Sequence, residues 1–190
     1  MSTTEDEILE KNVVAATTAW LEKVVIGLNL CPFAKAIHVK KQIRYAVSFA
    51  IDCDALLADL KTELAKLWTA NPAEIESTLI IHPKVLTDFL EYNDFLAVCD
   101  SVLEELDMDG VVQIASFHPA YQFAGTKAGD VTNFTNRSPY PLLHLLREDS
   151  VSRAVDTFPE VEGIYKANMA TLRKLGRAQL ESLAVDLLKP

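Results

Sequence analysis

Three short apolar runs, at residues 43–51, 78–81 and 111–117, are separated by stretches of helical periodicity, and this order most restricts the folds open to the chain. Ile43, Tyr45, Val47, Phe49 and Ile51 alternate with polar or small residues, which predicts an edge strand with one well-buried face. Thr78-Leu79-Ile80-Ile81 is apolar on both faces, as a central strand is, and Asp109-Gly110 turns the chain into a third run, Val111 to Phe117. Residues 52–68 and 84–107 read as helices, the second with a break available at Tyr92-Asn93, where Asn93 would cap the stretch that follows. Strand-helix-strand connections of this length normally form parallel, right-handed crossovers. The expectation is therefore an α/β fold: a small, mainly parallel sheet of three or four strands flanked by helices, with additional N- and C-terminal helices. A ferredoxin-like α+β arrangement is the alternative.

The remaining segments fit one globular domain spanning residues 1–190. An N-terminal helix of about six turns is predicted from its periodicity. Thr4 and Glu7 form a capping-box pattern at its start, and Gly27 marks its end. Regularity fails from His118 through Pro141, a loop long enough to suggest function, and Tyr121, Phe123, Phe134 and Tyr140 within it are anchors that a solvated linker would lack. Helical periodicity returns at 142–146, with Ser138 and Pro139 as its cap and with His144 and Arg147 sharing a face. Further helices are expected at 151–155 and on either side of Gly176, ending near Leu188.

The net charge of −9 argues against nucleic acid and against an anionic membrane surface. It is concentrated at residues 52–109, where 14 acidic residues face only Lys61, Lys66 and Lys84. The segment 110–158 balances four acidic residues with Lys127, Arg137, Arg147 and Arg153, so an anionic small molecule remains an acceptable partner there. No apolar run reaches the ~18–20 residues needed to span a bilayer, and the first residues lack the pattern of a signal peptide. A cytoplasmic protein is expected, with Cys31, Cys53 and Cys99 as reduced thiols. Cys53 and Cys99 read as core residues of helices.

Both Ile80-Ile81-His82-Pro83 and Ser116-Phe117-His118-Pro119 end an apolar strand on His-Pro. Proline stops the ladder and holds the preceding residue extended, so on adjacent parallel strands His82 and His118 would share the carboxyl edge, where open α/β sheets bind ligands. Each histidine alone is equally well read as a strand terminator bonded to a nearby carbonyl. Cys31, with Pro32 after it, fits a helix N-cap that would favour thiolate, or else a small buried hydrophobe. In the loop, Asn133, Asn136 and Arg137 supply donors suited to a polar or anionic molecule. His144, among leucines, reads as a packed core residue. A divalent metal is a candidate cofactor, with His82 and His118 as its candidate ligands, although no short ligand pair of a zinc site is present.

Several longer segments carry a resemblance: Leu28-Asn29-Leu30-Cys31-Pro32-Phe33-Ala34, Ile81-His82-Pro83, Tyr92-Asn93-Asp94-Phe95-Leu96, Gln113 to Pro119 with Tyr121-Gln122-Phe123, and Thr135-Asn136-Arg137-Ser138-Pro139-Tyr140-Pro141 running on to His144 and Arg147-Glu148. In these the chain resembles an uncharacterised bacterial family, a domain of unknown function, along nearly its whole length. The resemblance implies no particular reaction. From the residues themselves, two readings stand. One is a small-molecule enzyme at the carboxyl edge, with His82 and His118 in acid/base or metal-assisted roles, Cys31 as nucleophile or ligand, and Asn133, Asn136 and Arg137 holding substrate. The other is a non-catalytic ligand-binding or protein-interaction module.

Overall fold

In the computed structural model, which describes residues 3–157 and 161–187, helix α1 (Thr3–Trp20) runs into a π-helical turn, Leu21–Ile26. It is followed by the short α2 (Ala34–Val39), β1 (Ile43–Val47), α3 (Cys53–Thr69), β2 (Ser77–Ile81), α4 (Phe89–Glu105), β3 (Val112–Phe117), a 3-10 turn (Val131–Thr135), β4 (Leu142–Arg147), α5 (Glu148–Thr157) and α6 (Val161–Leu187). The sheet has the order β1-β2-β4-β3. β1 and β2 are parallel, joined through α3, and β4 lies antiparallel between β2 and β3.

The expected helix at 142–146 is therefore a strand, and the sheet is mixed rather than mainly parallel. Leu142-Leu143-His144-Leu145-Leu146 is leucine at every position but His144, and both its faces are covered: Leu142 joins one core, Leu143 and Leu145 the other. His144 and Arg147 accordingly do not share a helix face; three apart on a strand, they point to opposite sides. Ser138 caps no helix, and its hydroxyl donates to the Tyr140 carbonyl. The four-stranded order also differs from the ferredoxin-like alternative, since β1 and β2, joined through α3, are direct parallel neighbours with no strand between them.

Helices cover both faces. On one, Leu56, Leu60, Leu64 and Leu67 of α3 and Tyr92, Phe95, Cys99 and Val102 of α4 pack on Ile80, Leu143 and Leu145. On the other, Val13 and Trp20 of α1, Leu21 and Val24 of the π-turn, and Leu172 and Leu180 of α6 pack on Leu79, Ile81 and Leu142. Consecutive residues of β2 thus enter different cores, which is why the whole strand is apolar or small and buried.

Several local expectations change. α4 is one helix, because Asp88 rather than Asn93 caps it, accepting from the amides of Leu90 (2.8 Å) and Glu91 (3.2 Å). α1 already includes Thr4, so the capping-box pattern lies inside the helix. Phe33 is the N-cap of α2, so Cys31 is not. Cys53 opens α3 but is exposed, whereas Cys99 is buried as expected. The expected division at Gly176 is present as a kink in α6 (φ 74°, ψ 167°). Leu188, the expected end of the last helix, lies outside the described residues.

Candidate functional site

The ends of β1, β2 and β3 lie along one edge of the sheet. Just past β1, the Ser48 amide donates to the Ile81 carbonyl (2.8 Å); just past β2, the His82 amide donates to Pro141 (3.1 Å); just past β3, the His118 amide donates to Asn136 (3.1 Å). β4 separates β2 from β3, so the two histidine-bearing strands are not neighbours as expected. They nevertheless run in the same direction, and both histidines reach the α4 side of the same edge. Tyr92 of α4 lies between them, its ring centroid 5.8 Å from that of His82 and 5.1 Å from that of His118. Both histidines are buried, at 0% and 1% exposure.

Their hydrogen bonds determine how each ring is protonated. His82 Nδ1 lies 3.0 Å from the Val85 carbonyl, which can only accept, so Nδ1 carries the proton and Nε2 presents a lone pair. That Nε2 is buried and has no partner. His118 has the reverse arrangement: Nδ1 accepts from the Ala120 amide (3.0 Å), and Nε2–H donates to the Leu86 carbonyl (3.2 Å). Burial is the main reason that His82 is pushed down to about 4, with the nearby His118 adding to the effect, and burial lowers His118 as well. Both rings are neutral near pH 7.

The segment between β2 and α4 meets both rings through the Val85 and Leu86 carbonyls. Leu86 within it has φ +55°, a left-handed conformation that disfavours a branched side chain. Below, the Tyr92 hydroxyl donates to the Leu142 carbonyl (2.8 Å) and accepts from the Phe117 amide (3.0 Å), fastening α4 to β4 and β3 at this edge. Burial raises the Tyr92 hydroxyl pKa, so it remains protonated. Phe89 and Tyr121 extend the aromatic cluster, with ring centroids 5.2 Å apart.

Ser48 and Asp59 belong to this edge and were missed from sequence. The buried Ser48 hydroxyl donates to Asp59 Oδ2 (2.6 Å) and accepts from the Ala50 amide (3.2 Å). The alternation of β1 could have placed Ser48 on the face opposite Tyr45 and Val47; nothing in sequence signalled its distant partner on α3.

The other expected site residues are dispersed. Cys31 packs with the α1 core, across the sheet from the two histidines. Asn133, fully buried, accepts from the Phe123 amide (3.1 Å) and the Thr126 hydroxyl (2.9 Å) and donates to the Lys127 carbonyl (2.9 Å), organising its own loop. Asn136 Nδ2 donates to Ser116 (3.0 Å). Arg137 donates from Nε to Tyr121 (3.3 Å) and from Nη2 to Ala128 (2.7 Å), with its guanidinium 4.7 Å above Phe134. His144 faces Phe117 at 6.3 Å and is pushed down to about 4 by burial. Among the described residues, no three His, Cys, Asp or Glu side chains gather as a metal site. Of the imidazole nitrogens of His82 and His118, Nε2 of His82 is the one not already hydrogen-bonded.

At the opposite edge a cavity of about 280 Å³ is lined by Trp68, Val111, Arg147 and Arg153, among others. Arg147 donates there to the carbonyls of Leu67 (2.5 Å), Ala70 (2.9 Å) and Ile75 (3.3 Å), closing the end of α3. Among the described residues, no helix is long and apolar enough to cross a membrane.

Fold and edge together define an α/β protein whose mixed four-stranded sheet carries two buried neutral histidines around a tyrosine. The chain belongs to the family described as a protein of unknown function, DUF1415, whose pattern matches residues 12–182. No curated protein and no solved structure matches it.

Proposed function

We propose that the chain is an enzyme of small polar or anionic metabolites that moves a proton at the carboxyl edge of its sheet, with His82 as the base. One observation carries this reading: His82 presents a buried, unpartnered Nε2 lone pair beside the Tyr92 ring, a neutral imidazole whose acceptor nitrogen is left open to a reactant. The Nδ1 bond to Val85 orients the ring, and His118, in the opposite tautomer, keeps its own proton on a backbone carbonyl. Substrate reaches Nε2 through a local opening that leaves the Nδ1–Val85 bond, and with it the ring's orientation, in place. No step of the proposal passes through Cys31 or a metal.

The test works without the substrate being identified beforehand. Pools of carbonyl-containing metabolites are incubated with the protein in D2O and followed by mass spectrometry for deuterium gained at carbon. Wild type is expected to exchange at least one compound and His82→Ala to lose that exchange. Equal exchange in both proteins, or none in either, overturns the proposal. A non-catalytic ligand-binding module is the second reading, favoured by the separate arginine pairing described next.

A further inference from the structure

The loop at 118–141 packs on α6, and where they meet two guanidinium groups converge on one peptide. Arg137 reaches it from the loop, its Nη2 on the Ala128 carbonyl. Arg177 reaches it from α6, just past the kink at Gly176: a Cβ placed on Gly129 would come within 2.9 Å of Arg177 Nη1. Gly129 has no positive φ, so its missing side chain serves approach and not backbone conformation.

Like charges repel, and the two guanidinia are near enough that Arg177, together with burial as the larger cause, lowers the Arg137 pKa. Glu181, bonded to Arg177 Nε at 2.6 Å, offsets part of that repulsion. Among the described residues, neither arginine spends all its donors: Arg137 uses Nε and Nη2, and Arg177 uses Nε. Arg137 is half-buried and fixed by two carbonyls and the Phe134 ring, so little of its freedom is left to lose on binding.

We infer that Arg137 and Arg177 form a binding site for a dianionic phosphate group, bridged across the peptide between Ala128 and Gly129. Two planar forks with unused N–H groups match the charge and the several oxygens of a phosphate better than they match a single carboxylate. The site stands independently of His82: phosphate binds whether or not the histidine edge is catalytic.

Thermal unfolding and calorimetric titration of the full chain test the inference, using inorganic phosphate and, in parallel, glycerol phosphate, against sodium chloride of equal ionic strength. Both phosphates are expected to raise Tm saturably where chloride does not. Tighter binding of the ester marks the site as a handle for a phosphorylated metabolite, and tighter binding of the free ion marks a phosphate site proper. Arg177→Gln, a change at an exposed side chain, is expected to weaken binding about tenfold or more with the fold intact. Gly129→Ala, which crowds Arg177, should also weaken it, and Glu181→Gln, which removes the negative charge that competes for Arg177, should tighten it. No response beyond that to chloride, or a response unchanged in Arg177→Gln, overturns the site. Phosphate binding with no deuterium exchange in the wild type, or with equal exchange in wild type and His82→Ala, would overturn only the catalytic proposal.

Discussion

His82 and His118 are held in opposite tautomers by consecutive carbonyls of one short segment, Val85 taking the Nδ1 proton of the first and Leu86 the Nε2 proton of the second. Each ring therefore has a definite orientation, and the two differ in what they leave exposed to a reactant. Only His82 keeps a buried nitrogen without a partner.

Acid should destabilise the protein before most carboxylates titrate. His82 and His144 are each depressed from 6.5 to about 4 on folding, so the unfolded chain binds protons first as pH falls. Their contribution is complete above pH 6.5 and is lost between 6.5 and about 4; a shift of that size corresponds to about 3 kcal/mol for each. Urea denaturation at several pH values across this window measures the slope. His82→Gln should flatten it, and an unchanged slope would contradict the depressed value.

Tyr92→Phe removes a hydroxyl that serves a buried carbonyl and a strand-end amide together. A loss of about 2–3 kcal/mol is expected in denaturant titration. A change below ~0.5 kcal/mol would show that the two strands hold this edge without α4.

Arg147→Lys tests geometry apart from charge. The guanidinium bonds to the Leu67 and Ala70 carbonyls at the end of α3 and to that of Ile75 just before β2, and one ammonium on a flexible stem cannot reproduce that fork. Destabilisation of about 1–3 kcal/mol is expected by the same titration.

Asn133→Asp keeps the acceptor for Phe123 and Thr126 but turns the Lys127 bond into a clash of acceptors and buries a charge. Faster limited proteolysis within residues 118–141 is the expected result, with little change elsewhere. Unaltered cleavage would mean the loop is held by its aromatic residues.

Thiol labelling should separate the cysteines. Exposed Cys53 should react readily in the native protein, and Cys99, whose thiol is pushed up to about 12 chiefly by burial, only after unfolding. Mass spectrometry of labelled peptides reads this directly.

Much of the fold was legible because its strands obey simple patterns. β1 lies at an edge as expected, although it ends at Val47 and its residues are only partly buried; β2 is apolar or small on both faces and lies inside. β4 was not legible, because a five-residue leucine-rich run has no period that tells a doubly buried strand from a buried helix. At the site, the His-Pro repeats located the edge correctly even though the intervening strand was missed. The structural partners of the loop residues were not legible, for a different reason. Asn133, Asn136 and Arg137 are indeed hydrogen-bonding residues, yet much of their capacity serves nearby carbonyls and amides, a distinction that composition does not carry. Arg177 and Asp59 were invisible for want of any local signal: each reaches its role from a distant helix.

The placement of β4 also governs how the chain must be assembled. The strand made last sits between β2 and β3, so while the chain is being synthesised both are complete before either has β4 beside it. Closing the sheet requires residues 142–147 to enter between two waiting edges, a step of high contact order and correspondingly slow search. Nascent chains that end before Arg147 should therefore leave two apolar strand edges open to other molecules, so the protein is most vulnerable to aggregation just before its fourth strand leaves the ribosome.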